Sequence, residues 1–165
     1  MVDRSRRTFA LISVACALAG ASCVGRVADP GSRDEALHVF DLAGRSHVLA
    51  LRPGERAIVL HFWATWCSAC IPELAVLERA AATCGERGVR VVAIDVAEVG
   101  EVVARQVEQT ALGLEVLLDP SGDLWRRSGA RELPATWIRT AVDQATSNGP
   151  WTESQWSARL RGLGC

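Results

Sequence analysis

The fold is decided by the stretch Phe62-Trp63-Ala64-Thr65-Trp66-Cys67-Ser68-Ala69-Cys70, which closes a nearly unbroken apolar run that begins at Ala57. Such a run predicts a strand in the middle of a sheet. After Cys70 the apolar residues recur at helical spacing over 70–83, and Pro72 is tolerated near the helix start because first-turn amides lack partners there. The two cysteines are therefore expected where a buried strand gives way to a helix.

Cys67 and Cys70 have the spacing of a dithiol that can close into a disulfide. At a helix N-terminus the unpaired amides and the positive end of the dipole favour a thiolate, which is the reactive form. Cys70 lies in the first helical turn, from which it can reach back to the Cys67 sulfur. We predict that Cys67 is the nucleophile and Cys70 the resolving cysteine of a redox cycle.

A structural bridge and half of a zinc site are the alternatives for this cysteine pair. Zinc needs two further ligands at metal spacing, and the sequence offers none, because the histidines all precede the motif, at His38, His47 and His61. We therefore expect no metal and no other cofactor.

The rest of the chain alternates between strand and helix patterns. Strand patterns at 89–96, 114–118 and 135–140 alternate with helical patterns at 99–112, 123–128 and about 152–163. This alternation predicts an α/β domain with a central mixed sheet and helices on both faces. Segments 39–41 and 46–51 flank a turn and predict an N-terminal β-hairpin extension.

The first 23 residues have the layout of a signal peptide. Arg4-Ser5-Arg6-Arg7-Thr8-Phe9 precedes an uncharged, mostly apolar run at 10–21, which is shorter than the roughly 20 residues that a spanning helix needs. The arginine pair resembles a twin-arginine export signal, with two arginines in an ordinary positively charged n-region as the alternative. Cys23 is a candidate lipidation site, with cleavage after Ala21 as the alternative.

Residues 24–37 lack periodicity and contain Pro30 and Gly31, which is typical of a flexible linker. The folded domain is therefore expected at 38–165. The chain has 165 residues and a formal net charge of −1, so its composition gives no indication of the basic face that nucleic-acid binding needs. Its partners are expected to be proteins or small thiols, and export would permit its six cysteines to form disulfides.

The block Trp-Ala-x-Trp-Cys-x-x-Cys resembles the thioredoxin superfamily, and more narrowly its extracytoplasmic TlpA/ResA-like branch, which includes the reductases of cytochrome c maturation. Further marks of the branch are the hairpin near 41–45, the loop Leu117-Leu118-Asp119-Pro120-Ser121-Gly122 and the segment Leu133-Pro134-Ala135-Thr136. The resemblance implies a thioredoxin-like fold over about residues 40–163.

The resemblance also assigns roles to single residues. It implies a cis Pro134 that faces the cysteines, a substrate segment bound beside Leu133 and Pro134, and an exposed apolar surface that includes Trp66. A trans proline and an ordinarily packed tryptophan are the alternatives. Glu73 matches an acidic residue of the branch that influences cysteine protonation and could relay protons to Cys70, whereas a solvated glutamate in a first helical turn is equally reasonable.

His61 departs from the branch, which commonly has an asparagine beneath the disulfide where thioredoxins have an aspartate. It is either a proton acceptor for Cys70 or a neutral core histidine. In the thioredoxin topology the helix that Cys84 follows and the C-terminal helix end near each other. This topology implies a structural disulfide between Cys84 and Cys165, with two separate thiols as the alternative.

The predicted function is a protein disulfide reductase that acts on exported cysteine-containing proteins, for example in cytochrome c maturation, with electrons from a membrane donor. The alternatives are a disulfide-forming oxidase or isomerase, and a copper-binding carrier whose Cys67 and Cys70 hold Cu(I). We expect a monomer in the bacterial periplasm or at the outer face of the membrane. Its contact with the membrane would be limited to the signal peptide or a lipid anchor on Cys23.

Overall fold

A seven-stranded mixed sheet forms the centre of residues 37–165, the part of the chain that the computed structural model describes. The predicted signal peptide, Cys23 and nearly all of the predicted linker lie outside the described residues. The strands are β1 (Leu37–Phe40), β2 (Ser46–Leu49), β3 (Ala57–Trp63), β4 (Val89–Val96), β5 (Glu115–Asp119), β6 (Ala135–Thr140) and β7 (Gln144–Asn148).

The sheet has the strand order β2-β1-β5-β4-β3-β6-β7. β3, β4 and β5 run parallel, whereas the β1–β2 hairpin and the β6–β7 hairpin add antiparallel strands at the two sides. β3 is buried along its whole length, as its apolar run predicts. The predicted mixed sheet of a thioredoxin-like fold is confirmed.

Helices cover both faces of the sheet. They are α1 (Cys70–Ala81), α2 (Gly100–Thr110), α3 (Asp123–Arg127) and α4 (Glu153–Gly162), and a 3₁₀ helix spans Gly85–Arg87. α1 ends two residues before the predicted Thr83, since the chain tightens there and the Cys84 amide bonds to the Ala81 carbonyl. Thr152 caps α4 in a reciprocal capping box with Gln155.

The alternation of side chains along β3 divides the core between these faces. Val59 packs with α1 and α4, and Trp63 packs with α1 and α2, whereas Leu60 and Phe62 pack on the opposite face with α3 and the N-terminal hairpin. Among residues 37–165, no helix has both the length and the apolar character that crossing a membrane requires.

The topology brings several chain segments to one edge of the sheet. The carboxyl ends of β3, β4 and β5 meet there, with Trp63 opposite Asp95 in the register. β6 is antiparallel to β3 and pairs Ala135 with Phe62, so the segment that leads into β6 reaches the same edge. The Cys67 loop and the Leu133–Pro134 peptide therefore lie at the same end of the molecule.

Candidate active site

A disulfide joins Cys67 to Cys70 at the start of α1, with an S–S distance of 1.98 Å and a Cα–Cα distance of 5.3 Å. Cys67 lies in the turn that precedes the helix, and its carbonyl accepts a hydrogen bond from the Cys70 amide at 3.0 Å. Cys67 is 7% exposed and Cys70 is 0% exposed. An incoming sulfur therefore has access to Cys67 alone.

The surroundings of the disulfide combine an exposed aromatic side chain with an apolar wall. Trp66 is 70% exposed, although it immediately precedes a buried cysteine. The peptide bond between Leu133 and Pro134 is cis. Leu133 packs against the apolar cluster that contains both cysteines, so the segment before β6 borders the site.

Glu73 lies on the buried side of α1, one turn after Cys70, and is only 4% exposed. Its Oε1 accepts hydrogen bonds from the Trp151 amide at 2.8 Å and from the Trp156 Nε1–H at 2.9 Å. Burial raises the pKa of Glu73, and these two hydrogen bonds partly offset the rise. The alternative of a solvated glutamate is therefore wrong, because the start of α4 covers this turn of α1.

His61 is fully buried beneath α1 and α4. Its Nδ1 lies 3.1 Å from the Thr136 hydroxyl, and its ring meets the Trp156 ring edge-on. Its Nε2 lies 3.8 Å from Glu73 Oε2, which is longer than a hydrogen bond, and neither atom has a hydrogen-bond partner among the described residues. Burial lowers the pKa of His61 to about 3, so the ring is neutral at physiological pH.

Two acidic residues that the sequence interpretation missed lie behind the Cys67 loop. Glu98 accepts hydrogen bonds from both the amide and the hydroxyl of Thr65, each at 2.6 Å. Asp95 is the second-last residue of β4 and is fully buried. Burial, and next the neighbouring Glu98, raise the pKa of Asp95 to about 8. The signal that could have found Asp95 is a carboxylate inside the apolar run 89–96.

A second disulfide joins Cys84 to Cys165, with a Cα–Cα distance of 4.8 Å. Cys84 is 1% exposed and packs with Leu77, Val89 and Leu160 between α1, the sheet and α4. Its place among core residues, away from the cluster that surrounds Cys67, fits a structural bond rather than a reactive one.

Within residues 37–165 there is no group of three or more histidine, cysteine, aspartate or glutamate side chains placed to hold a metal ion. The chemistry that the site offers is thiol-disulfide exchange. Once the pair is reduced, the N-terminal end of α1 favours the thiolate of Cys67, and Cys70 is held within reach of it.

The AhpC/TSA family matches residues 36–143 of the chain, which is more than half of its length. Over 100 residues the chain is 30% identical to the thiol-disulfide oxidoreductase ResA of Bacillus thuringiensis subsp. konkukian, a match that covers 61% of this chain and 57% of the relative. The chain thus spans little more than half the length of this relative.

Solved structures share the architecture. A secreted Mycobacterium tuberculosis disulfide oxidoreductase, homologous to E. coli DsbE, superposes with a TM-score of 0.65 at 24% identity, covering 76% of this chain and 95% of that one. The exposed lipoprotein thioredoxin Etrx1 of Streptococcus pneumoniae gives a TM-score of 0.66 at 22% identity, covering 78% and 99%. At these identities the likeness shows the fold.

Proposed function

This chain belongs to the AhpC/TSA family, and we propose that it is an extracytoplasmic thiol-disulfide oxidoreductase that reduces disulfides of exported proteins. One observation carries the proposal: the Cys67–Cys70 disulfide stands at the start of a helix, with one cysteine accessible and the other enclosed. The sequence similarity to a ResA protein supports the reaction class.

The proposed reaction transfers two electrons to the target. The Cys67 thiolate attacks one sulfur of the target disulfide, which forms a mixed disulfide and releases the first target thiolate. Cys70 then loses its proton and attacks the Cys67 sulfur, which closes the Cys67–Cys70 bond and releases the second target thiolate. The target gains two electrons and two protons, and a dithiol donor at the membrane restores the pair.

We propose that Glu73 accepts the proton that Cys70 loses, and that His61 stays neutral beside it. Glu73 follows Cys70 by one helical turn, and its Oε2 has no hydrogen-bond partner among the described residues. Burial raises the pKa of this carboxyl, which makes its carboxylate a stronger base than a solvated one and suits it to accept the proton. His61 is held by Thr136 and is too weak a base to be charged there, so its role is to set the polarity around Glu73.

We further propose that an extended segment of the target binds along Leu133 and Pro134 and covers Trp66. The exposed indole ring offers apolar area that a bound protein would remove from water. Cysteine-containing segments awaiting haem attachment in cytochrome c maturation are the target class that we propose. The protein would act as a monomer, which light scattering of the purified domain tests.

The reduction potential of the Cys67–Cys70 pair tests the direction of the reaction. It is measured against glutathione buffers, with alkylation and mass analysis counting Cys84 and Cys165 separately. We expect a value near or below about −250 mV, because thioredoxin itself lies near −270 mV. A value of about −120 to −180 mV would assign the protein to the oxidases or isomerases instead.

The location is proposed from residues 1–23, which we take to be an export signal, with Cys23 carrying a lipid. The variant Cys23→Ala is expected to move the protein from the membrane fraction to the soluble extracytoplasmic fraction. Equal distribution of the variant and the wild-type protein would reject lipidation and leave cleavage after Ala21.

A further inference from the structure

The loop that carries Cys67 is attached to the next strand of the sheet through Thr65. Thr65 lies two residues before the nucleophile, and Glu98 lies in the connection between β4 and α2. One carboxylate oxygen of Glu98 accepts the Thr65 amide and the other accepts the Thr65 hydroxyl, both at 2.6 Å. Both bonds are short and charge-assisted, so this is a firm attachment.

The residue before Glu98 has an unusual backbone conformation, which directs the chain toward the Cys67 loop. Ala97 has φ 62°, in the left-handed region that residues other than glycine rarely adopt. Its amide bonds to the Asp119 carbonyl at 3.0 Å, which anchors the turn to the end of β5. The turn at Ala97 thus directs the chain so that Glu98 meets the Cys67 loop.

Asp95 is a second carboxyl group close to the partly buried Glu98. Asp95 is fully buried beside it, and neither Asp95 oxygen has a hydrogen-bond partner among the described residues. Burial and the Glu98 carboxylate raise the pKa of Asp95 to about 8. Both Glu98 oxygens accept from Thr65, and Asp95 takes no part in that attachment.

We propose that Glu98 is a positioning residue for the nucleophile: by holding Thr65 against the end of β4, it keeps the Cys67 sulfur at the N-terminal end of α1. The inference rests on the proposed function, because it concerns the same nucleophile. While the loop is held, the N-terminal end of α1 stabilises the Cys67 thiolate fully. If the loop is released, the sulfur can move away from the helix end and loses part of this stabilisation.

The test compares Glu98→Ala with Glu98→Gln in the reduced protein. The readout is the pH midpoint for alkylation of Cys67 by iodoacetamide, which reports the thiolate and needs no disulfide substrate. Glutamine retains the attachment, because its carbonyl accepts the Thr65 amide and its NH₂ donates to the Thr65 hydroxyl. We expect Glu98→Ala to raise the midpoint by about half a pH unit or more and to slow disulfide reduction about tenfold, and Glu98→Gln to do neither.

A purely electrostatic role of Glu98 would shift the alkylation midpoint of Cys67 in the opposite direction. Removing a negative charge favours the thiolate, so both variants would then lower the midpoint by the same amount. A merely structural role would lower the melting temperature and leave the midpoint unchanged. Either result would overturn the proposal. Glu101→Gln, which removes an exposed charge at the start of α2, is the matched control and is expected to behave as wild type.

Variants of Thr65 keep the test decisive if Glu98→Ala does not fold. Thr65→Val removes the hydroxyl bond and keeps the amide bond, and Thr65→Ser keeps both. We expect the alkylation midpoint of Cys67 to rise in Thr65→Val and to stay at the wild-type value in Thr65→Ser. Equal midpoints in these two variants would contradict the proposal. If wild-type protein reduces no disulfide, the proposed function fails, whereas the alkylation midpoints still decide the role of Glu98.

Discussion

Cys67 and Cys70 share one disulfide but differ in exposure, and this difference is the basis of the separate roles that we propose for them. Only Cys67 has any accessible surface, so a target sulfur can form a bond with Cys67 alone. Cys70 is enclosed and within bonding distance of Cys67, which suits an internal second attack.

The variant Cys70→Ser should therefore accumulate a mixed disulfide between Cys67 and the target, because the release step has no nucleophile. Cys67→Ser should accumulate none and lose nearly all activity. Non-reducing electrophoresis with mass mapping of the linked peptides checks both. A stable adduct at Cys70 in the Cys67→Ser protein would contradict the assignment of roles.

Asp95 gives the protein a pH-dependent stability. The folded chain keeps the Asp95 proton up to a pH of about 8, whereas the unfolded chain releases it near 3.8, the ordinary pKa of an aspartate. Folding therefore takes up a proton between these pH values, and the contribution of Asp95 to the free energy of unfolding falls as the pH rises through this window. Glu98 and Asp119 both add to this effect.

The variant Asp95→Asn imitates the neutral carboxyl and should remove this dependence. We expect its melting temperature to equal that of wild type near pH 3, below both pKa values, and to exceed it by at least about 3 °C at pH 9. Thermal unfolding across this range checks the expectation. A constant difference at all pH values would show that Asp95 is not the group that titrates.

At the scale of elements, Glu73 joins the active-site helix to the C-terminal helix. It accepts hydrogen bonds from Trp151 and Trp156, so a residue of α1 satisfies one donor just before α4 and another inside it. The same carboxyl faces His61 on β3. The side chain that links α1 to α4 is therefore also the proposed proton acceptor.

Replacing Glu73 should separate these two roles. Glu73→Ala leaves two donors without their acceptor and should lower the free energy of unfolding by about 1–3 kcal/mol. Glu73→Gln keeps a carbonyl acceptor but cannot take a proton, so it should retain stability while the release step becomes slower at neutral pH. Urea unfolding and the pH profile of mixed-disulfide release measure the two effects. Equal release profiles for Glu73→Gln and wild type would remove Glu73 from the proton path.

The sequence predicted those elements whose signals are local. The apolar run of β3, the helical spacing of α1 and the Cys67–Cys70 spacing lie within one stretch, so the pattern of residues was sufficient. The burial of Glu73 was left open, because the tryptophans that cover it lie 78 and 83 residues further along the chain. Glu98 was missed for the same reason, since its contact with Thr65 spans 33 residues and leaves no periodic signal.

At the scale of the whole molecule, the bond between Cys84 and Cys165 links residues 81 positions apart in the sequence. A crosslink over so long a loop restricts the unfolded chain far more than the folded one. Because α1, α4 and the sheet all contact this bond, its loss would affect the core rather than a single loop.

The double variant Cys84→Ala with Cys165→Ala should lower the free energy of unfolding by about 4 kcal/mol in the chain-entropy picture. Cys67→Ala with Cys70→Ala is the matched control, since it removes a bond between residues only 3 positions apart and should cost much less. Urea unfolding of the oxidised proteins compares them. If both double variants lost the same free energy of unfolding, the stabilisation would not come from the length of the closed loop.

The enclosure of Cys84 also separates the two disulfides by access. Thiol exchange needs an attacking sulfur in line with the bond, and core side chains close that approach at Cys84, which leaves the half-buried Cys165 as the one sulfur of this bond that an external thiol could reach. Burial of Cys84 therefore slows thiol exchange at this sulfur. A dithiol can therefore form at one end of α1 while the crosslink at the other end exchanges with external thiols only through Cys165.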